Sequence, residues 1–205
     1  MRLLRAVAGF FLFIELPVPI YWLILHSFKS FWRDRVRAAF WIAGLTAWTA
    51  GGMLLWICRS LLLAATPPLW FAIVAGWALI GIEIYLFVRV ERELGARRLV
   101  GHAELSGTGE MFAGGLYAHV RHPRYTGMFC AVVGAALLAG TPRLWAILAV
   151  WWVFALIVIR LEERELAARF GATYVAYRKR VPAFLPFRLC PFGGHAATAL
   201  VPAGG

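Results

Sequence analysis

Cysteine is scarce in this chain. Its 205 residues hold three, Cys58, Cys130 and Cys190, an odd number with no CxxC spacing. That excludes a disulfide framework and a thiolate zinc site, and Cys58 and Cys130 are expected to be buried, inert thiols. Charge is scarce too, at 15% of residues, and acid is the rarer sign: ten Asp and Glu face 21 Lys and Arg, for a net charge of +11. An excess of that size can mark a nucleic-acid binder, but no soluble basic module interleaved with aromatics is present to act as one. Internal repeats are missing, and no G-x-G-x-x-G follows a strand, which excludes a soluble dinucleotide-binding fold. The N-terminus starts like a signal peptide, yet its apolar run is too long and no small-residue cleavage site follows.

What fills the chain instead is apolar. Hydrophobic residues make up 62% of it and the mean hydropathy is +0.74, above the apolar share of about 45–50% usual in soluble domains. Ten Trp, fifteen Phe and six Tyr supply the aromatic anchors that suit membrane interfaces. A spanning helix needs about 20 mostly apolar residues, and five segments offer one: 6–28, 37–58, 68–88, 124–140 and 143–161. The expected fold is all-α and multi-pass, a single membrane domain over 1–189. The fourth span is short and the turn "GTPR" joins it to the fifth, so 124–161 reads as a helical hairpin. Gly127, Ala131 and Gly134 line one side of the fourth span and permit close helix contact. The Gly-, Ala- and Pro-rich stretch 190–205 is expected to be a disordered tail.

Orientation follows from the cations. With five spans, Arg2, Arg5, Arg59 and Arg143 share one side and the other 17 Lys and Arg share the opposite side. By the positive-inside rule the richer side is cytoplasmic, which leaves the N-terminus outside and the C-terminus inside. Glu15 and Glu83 fall within spans, where carboxylates are costly and often functional. Glu83 can alternatively snorkel or pair with Arg89 or a neighbouring helix. The segment 89–122 reads as a long, glycine-broken polar loop, a kind of connection that compact domains seldom keep without a use.

Two clusters carry the chemistry. In "GLYAHVRHPRYTG", residues 115–127, His122 precedes Pro123, and proline suits the first turn of a helix. The free N–H groups and positive dipole end of that helix lie beside Arg121, His122 and Arg124, an anion-binding corner at the membrane surface; lipid phosphates are its bland occupant. His119 and His122 lack a third ligand, so no metal site is expected. The second cluster is "RLEERELAARFGATYVAYRKRVPAFLPF", 160–187. Glu162 and Glu163 sit where the fifth span leaves the membrane, either as site carboxylates or as surface partners of Arg160 and Arg169. Leu166, Phe170, Tyr174 and Tyr177 recur on one face, which predicts an interfacial amphipathic helix interrupted or bent near Gly171. A hairpin brings its two ends together, so His122, Tyr125, Arg160, Glu162 and Glu163 should meet.

"GLYAHVRHPRYTG" followed by "EERELAARFGATYVAYRKRVPAFLP" resembles the isoprenylcysteine carboxyl methyltransferase and phospholipid N-methyltransferase superfamily over roughly residues 115–187. The resemblance implies S-adenosylmethionine as methyl donor, a cytosol-facing pocket roofed by the C-terminal segment, and an acceptor arriving laterally from lipid. It places Tyr117, His122, Pro123, Arg124, Tyr125 and Glu162 around the donor, and puts Arg160 near the position of an acceptor-carboxylate arginine. The residues fit that donor: the Arg121/His122 corner suits its carboxylate, Glu162 or Glu163 its ammonium or ribose hydroxyls, and Tyr117 or Tyr125 its adenine or sulfonium. Arg160 and Glu163 are the candidates for direct action on the reaction. The expected activity is O-methylation of a prenylcysteine-like carboxylate in the bilayer. Rival expectations are N-methylation of a phospholipid amine, a sterol-type reductase, for which the chain is short, and a non-enzymatic scaffold or small transporter.

Overall fold

The computed structural model describes residues 1–32, 35–60, 67–95 and 110–185. The expected tail 190–205, Cys190 and the stretch 96–109 lie outside the described residues. All regular structure in the described residues is helical: α1 (Arg2–Glu15), α2 (Val18–Ser27), α3 (Lys29–Trp32), α4 (Val36–Ile57), α5 (Trp70–Leu94), a 3-10 turn (Gly115–Ala118), α6 (Pro123–Ala139), α7 (Arg143–Phe170) and α8 (Ala172–Arg180).

Among the described residues four units are long and apolar enough to cross a membrane: Arg2–Ser27, formed by α1 and α2 in succession, then α4, α5 and α7. The fifth expected span, α6, has only 17 residues; at 1.5 Å per residue it extends about 26 Å against a hydrocarbon core of about 30 Å. Its role explains its shortness. Eleven of the 17 residues are buried, so α6 is the central post of the bundle, wrapped chiefly by α5 and α1, and most of it meets protein rather than lipid. Small residues make that possible. A Cβ added at Gly134 would lie 2.8 Å from the Gly76 carbonyl oxygen of α5, so the two helices cross almost backbone to backbone.

Proline breaks the first crossing. Pro17 and Pro19 interrupt the helix, and Pro19 has no N–H to give the Glu15 carbonyl four residues back. The Trp151 indole of α7 donates to that carbonyl instead, at 3.2 Å. Helix α4 leans on α2 through Ala39, Ala43 and Ala47, buried with Tyr21, Leu25 and Trp32. At the other end of the chain, α7 runs unbroken to Phe170, and the backbone turns at Gly171 with φ +53° into the separate helix α8. The expected apolar face is thus split between two helices, with Tyr174 and Tyr177 buried in α8.

The polar loop expected over 89–122 needs correction at both ends. Helix α5 continues through Leu94, with the i, i+4 pair Arg89–Glu93 at 3.2 Å on its last turns. Residues 115–118 form the 3-10 turn.

Candidate active site

His122 caps α6 with non-helical φ −124° and ψ 59°, and Pro123 occupies the first turn, because a residue before proline is pushed out of the helical region. The buried His122 ring, 3% exposed, points to α7, where its Nε2 lies 3.1 Å from Glu163 Oε1. Arg121 donates to the same oxygen from Nε at 2.9 Å and from Nη2 at 2.7 Å. The arms of the hairpin therefore do meet at their polar ends, across an interval of some forty residues.

The chain after α8 is fastened onto this corner. Arg121 N–H donates to the Pro182 carbonyl at 2.9 Å and His122 N–H to Ala183 at 3.0 Å. Thr126 Oγ1 donates to the Phe184 carbonyl at 3.1 Å, and Arg121 Nη1 reaches the carbonyls of Arg178 and Val181 at 3.0 and 2.5 Å. The Phe184 ring wedges between His122 and Trp152, with centroids 6.0 and 5.2 Å away. Amide groups left free at the start of α6 are thus satisfied by the strap 181–184.

Arg124 faces the opposite way, into the bundle. Its Nη1 donates to Glu83 on α5, and its Nη2 donates to both Glu15 oxygens on α1 at 3.1 Å. Both intramembrane carboxylates are engaged by one guanidinium, which also lies over the Phe87 ring, 5.1 Å from its centroid. Gly127 makes room, since a Cβ there would run into the Glu83 carboxylate. Sequence reasoning did not pair Glu15 or Glu83 with Arg124; the signal was the bare coincidence of two buried acids and one cation at a helix start.

One cavity of about 1050 Å³ opens beside this corner. Tyr117, Arg121, His122, Arg124, Tyr125 and Glu162 line its polar end together with Glu91. Of the other expected site residues, Pro123 is buried in the first turn of α6. Glu163 stands behind the wall, engaged by Arg121 and His122, and Arg160 is exposed outside the lining. Two carboxylates, Glu91 and Glu162, thus line the cavity, and among the described residues neither forms a side-chain hydrogen bond or ion pair. Glu91 was missed because it sits in charges that read as loop. Away from this end the cavity becomes a trough lined by Phe13, Trp22, Trp41, Trp48, Met53 and Trp56, among others. Its wall on α4 recurs every four residues from Phe40 through Gly44, Trp48 and Gly52 to Trp56, a length of about 24 Å.

Tyr117 reaches the cavity from the 3-10 turn. Its carbonyl accepts from Tyr177 Oη at 2.7 Å, and its ring meets Phe112 edge-on at 5.7 Å. Burial pushes the Tyr177 phenol up to about 12, so it remains a protonated donor at neutral pH.

The model of the family described as phospholipid methyltransferase matches residues 71–173. The chain is 40% identical over 75 residues to protein-S-isoprenylcysteine O-methyltransferase of Schizosaccharomyces pombe, covering 35% of this chain and 31% of the relative. Its counterpart in Mus musculus is 37% identical over 92 residues, covering 43% and 31%. Methanethiol S-methyltransferase 2 of Bradyrhizobium diazoefficiens is 28% identical over 148 residues, covering 65% of this chain and 54% of that protein. The matches thus span about a third of the length of the isoprenylcysteine relatives. No solved structure matches the chain.

Proposed function

Because the chain belongs to the phospholipid methyltransferase family, we propose that it transfers a methyl group from S-adenosylmethionine to a lipid-embedded acceptor, a prenylcysteine-like carboxylate. The observation that carries this reading is the continuity of one cavity, polar beside His122 and Glu162 and apolar along α4. A polar donor and a greasy acceptor need that combination, with their reacting atoms at the junction. A small thiol such as that of the methanethiol relatives needs no trough of this length.

The residues present fit the donor. It carries an ammonium, a carboxylate, two ribose hydroxyls and a sulfonium. Glu162 and Glu91, which line the cavity, match the ammonium and the hydroxyls through charge-assisted hydrogen bonds. The rings of Tyr117 and Tyr125 offer faces to adenine or to the positive sulfur. Arg121, in the cavity wall, and Glu163, behind it, act by position: their hydrogen bonds hold His122 and fasten the chain after α8 to this corner. Arg160, exposed outside the lining, takes part only if the acceptor's head group extends beyond the cavity.

S-adenosylmethionine supplies an electrophilic methyl on a sulfonium. Displacement by the acceptor oxygen, with the thioether as leaving group, would need no protein nucleophile. The protein's part is alignment of the two partners and a trough whose aromatic and aliphatic lining keeps water out while opposite charges are neutralised. Trp41, Leu45, Met53 and Trp56 line the trough and are exposed, so the trough opens on an apolar surface that would meet hydrocarbon in a bilayer, which supports lateral entry of the acceptor. The cation-rich helix ends around the polar end face the cytoplasm on this reading. A cysteine placed at exposed Thr173 in a cysteine-free background should react with an impermeant thiol reagent only from the cytosolic face.

Membranes containing the protein, incubated with donor labelled in its methyl group, test the activity. Label in the lipid fraction that is released by mild base marks a methyl ester and supports the proposal. Base-stable label marks an N-methyl group and redirects the reading to a phospholipid amine. Lack of transfer together with lack of saturable donor binding would leave a scaffold or transporter.

A further inference from the structure

Glu93 lies in the last turn of α5 and does not line the cavity, yet its carboxylate is inserted into the loop that delivers Tyr117. Oε2 accepts the Leu116 N–H at 3.0 Å, an amide at the start of the 3-10 turn that has no partner within the turn itself. Oε1 accepts from Arg89 at 3.2 Å. Gly115, immediately before Leu116, has φ +53°, and a Cβ there would overlap the Glu93 carboxyl group. Glycine is required at this point twice over, for its backbone conformation and for the space it leaves to an acid 22 residues earlier in the chain. Tyr177 holds the far side of the same turn by donating to the Tyr117 carbonyl.

We propose that Glu93 is a positioning residue: its carboxylate clasps the 115–118 turn to α5 and so fixes Tyr117 at the polar end of the cavity. The inference rests on the donor-site reading above. The group that matters is the oxygen accepting the Leu116 N–H. The ion pair with Arg89 lies on an exposed helix face, where an i, i+4 pair contributes little, and it is incidental to the clasp. Without the clasp, donor binding must order the turn, and affinity falls by the population of turns that are out of place.

Calorimetric binding of S-adenosylmethionine to the full chain in detergent tests this. Glu93→Ala is expected to weaken affinity about tenfold, the order of one lost hydrogen bond to a charged group. Gly115→Ala should weaken it at least as much. Glu93→Gln, which keeps a carbonyl oxygen for the Leu116 N–H, should return affinity to within about threefold of the parent protein, and Arg89→Ala should leave it unchanged. Thermal midpoints should change far less than affinities, because the turn lies at the edge of the bundle. A folded Glu93→Ala variant that binds donor as the parent does overturns the proposal, and so does a Glu93→Gln variant as weak as Glu93→Ala. If Glu93→Ala does not purify, Gly115→Ala against Arg89→Ala decides in the same way. A parent protein that binds no donor sinks the methyltransferase reading and this inference with it, whereas donor binding indifferent to Glu93 removes the inference alone.

Discussion

Glu162 and Glu163 are neighbours in sequence but turn about 100° apart on α7, and that rotation separates their roles. Glu162 looks into the cavity; Glu163 is gripped by Arg121 and His122. The resemblance put Glu162 at the donor and left Glu163 as a candidate for direct action, because the partners that draw Glu163 out of the lining lie some forty residues away. The sequence likewise marked Arg121 as an anion-binding group, while the structure engages that guanidinium with Glu163 and with backbone carbonyls. The two acids should therefore fail differently. Glu162→Ala is expected to weaken donor binding about tenfold, on the scale of a charge-assisted hydrogen bond, with its thermal midpoint unchanged. Glu163→Ala should cost stability first, about 2–4 kcal/mol, because it leaves a largely buried arginine without its counter-charge. Paired calorimetry and thermal unfolding of both variants check the assignment; equal loss of stability in the two would refute it.

At the scale of elements, hydropathy made the apolar segments legible, and the "RHP" start and the "GTPR" turn of the hairpin could be read directly. It could not say that α6 is enclosed by protein, because an apolar run looks the same against lipid as against other helices. Its buried Gly and Ala were the available signal. Nor could it find the ion triad that ties α1, α5 and α6 together, since Glu15 and Arg124 are 109 residues apart. Gly127 is where helix packing and triad meet. A methyl group added there displaces the Glu83 carboxylate, so Gly127→Ala should cost about 1–3 kcal/mol. In a Glu83→Ala background the obstruction is gone, and Arg124 still has Glu15. The same glycine substitution should then cost close to nothing. Thermal unfolding of the two single variants and the double variant gives the coupling, and additive losses would show that the close approach of Gly127 to Glu83 is not what limits the site.

For the molecule as a whole, the question is how a helical bundle joins a polar corner to an apolar trough in one cavity. Helix α4 supplies the answer. It rests on α2 through its alanines and touches α1 and the proline break after it where Gly52 admits Phe13 and Gly51 admits Pro17, and another of its faces bounds the trough. Little of this was legible in advance, because residues 40, 44, 48, 52 and 56 look like any lipid-facing stripe when the neighbouring helices are unknown. Gly44 gives a direct test. It lines the cavity, and a Cβ built on it meets nothing within 4 Å, so a large side chain can enter the trough without colliding with the fold. Gly44→Trp should raise the KM for a lipidic acceptor at least tenfold by filling volume the acceptor needs, while S-adenosylmethionine binding measured by calorimetry stays at the parent value. Shorter-chain acceptors should lose less than longer ones, because the indole takes up volume along the α4 wall that only the longer chains need. An acceptor KM unaffected by the indole would mean that the lipid reaches the donor by another route, and the trough would then have no part in choosing it.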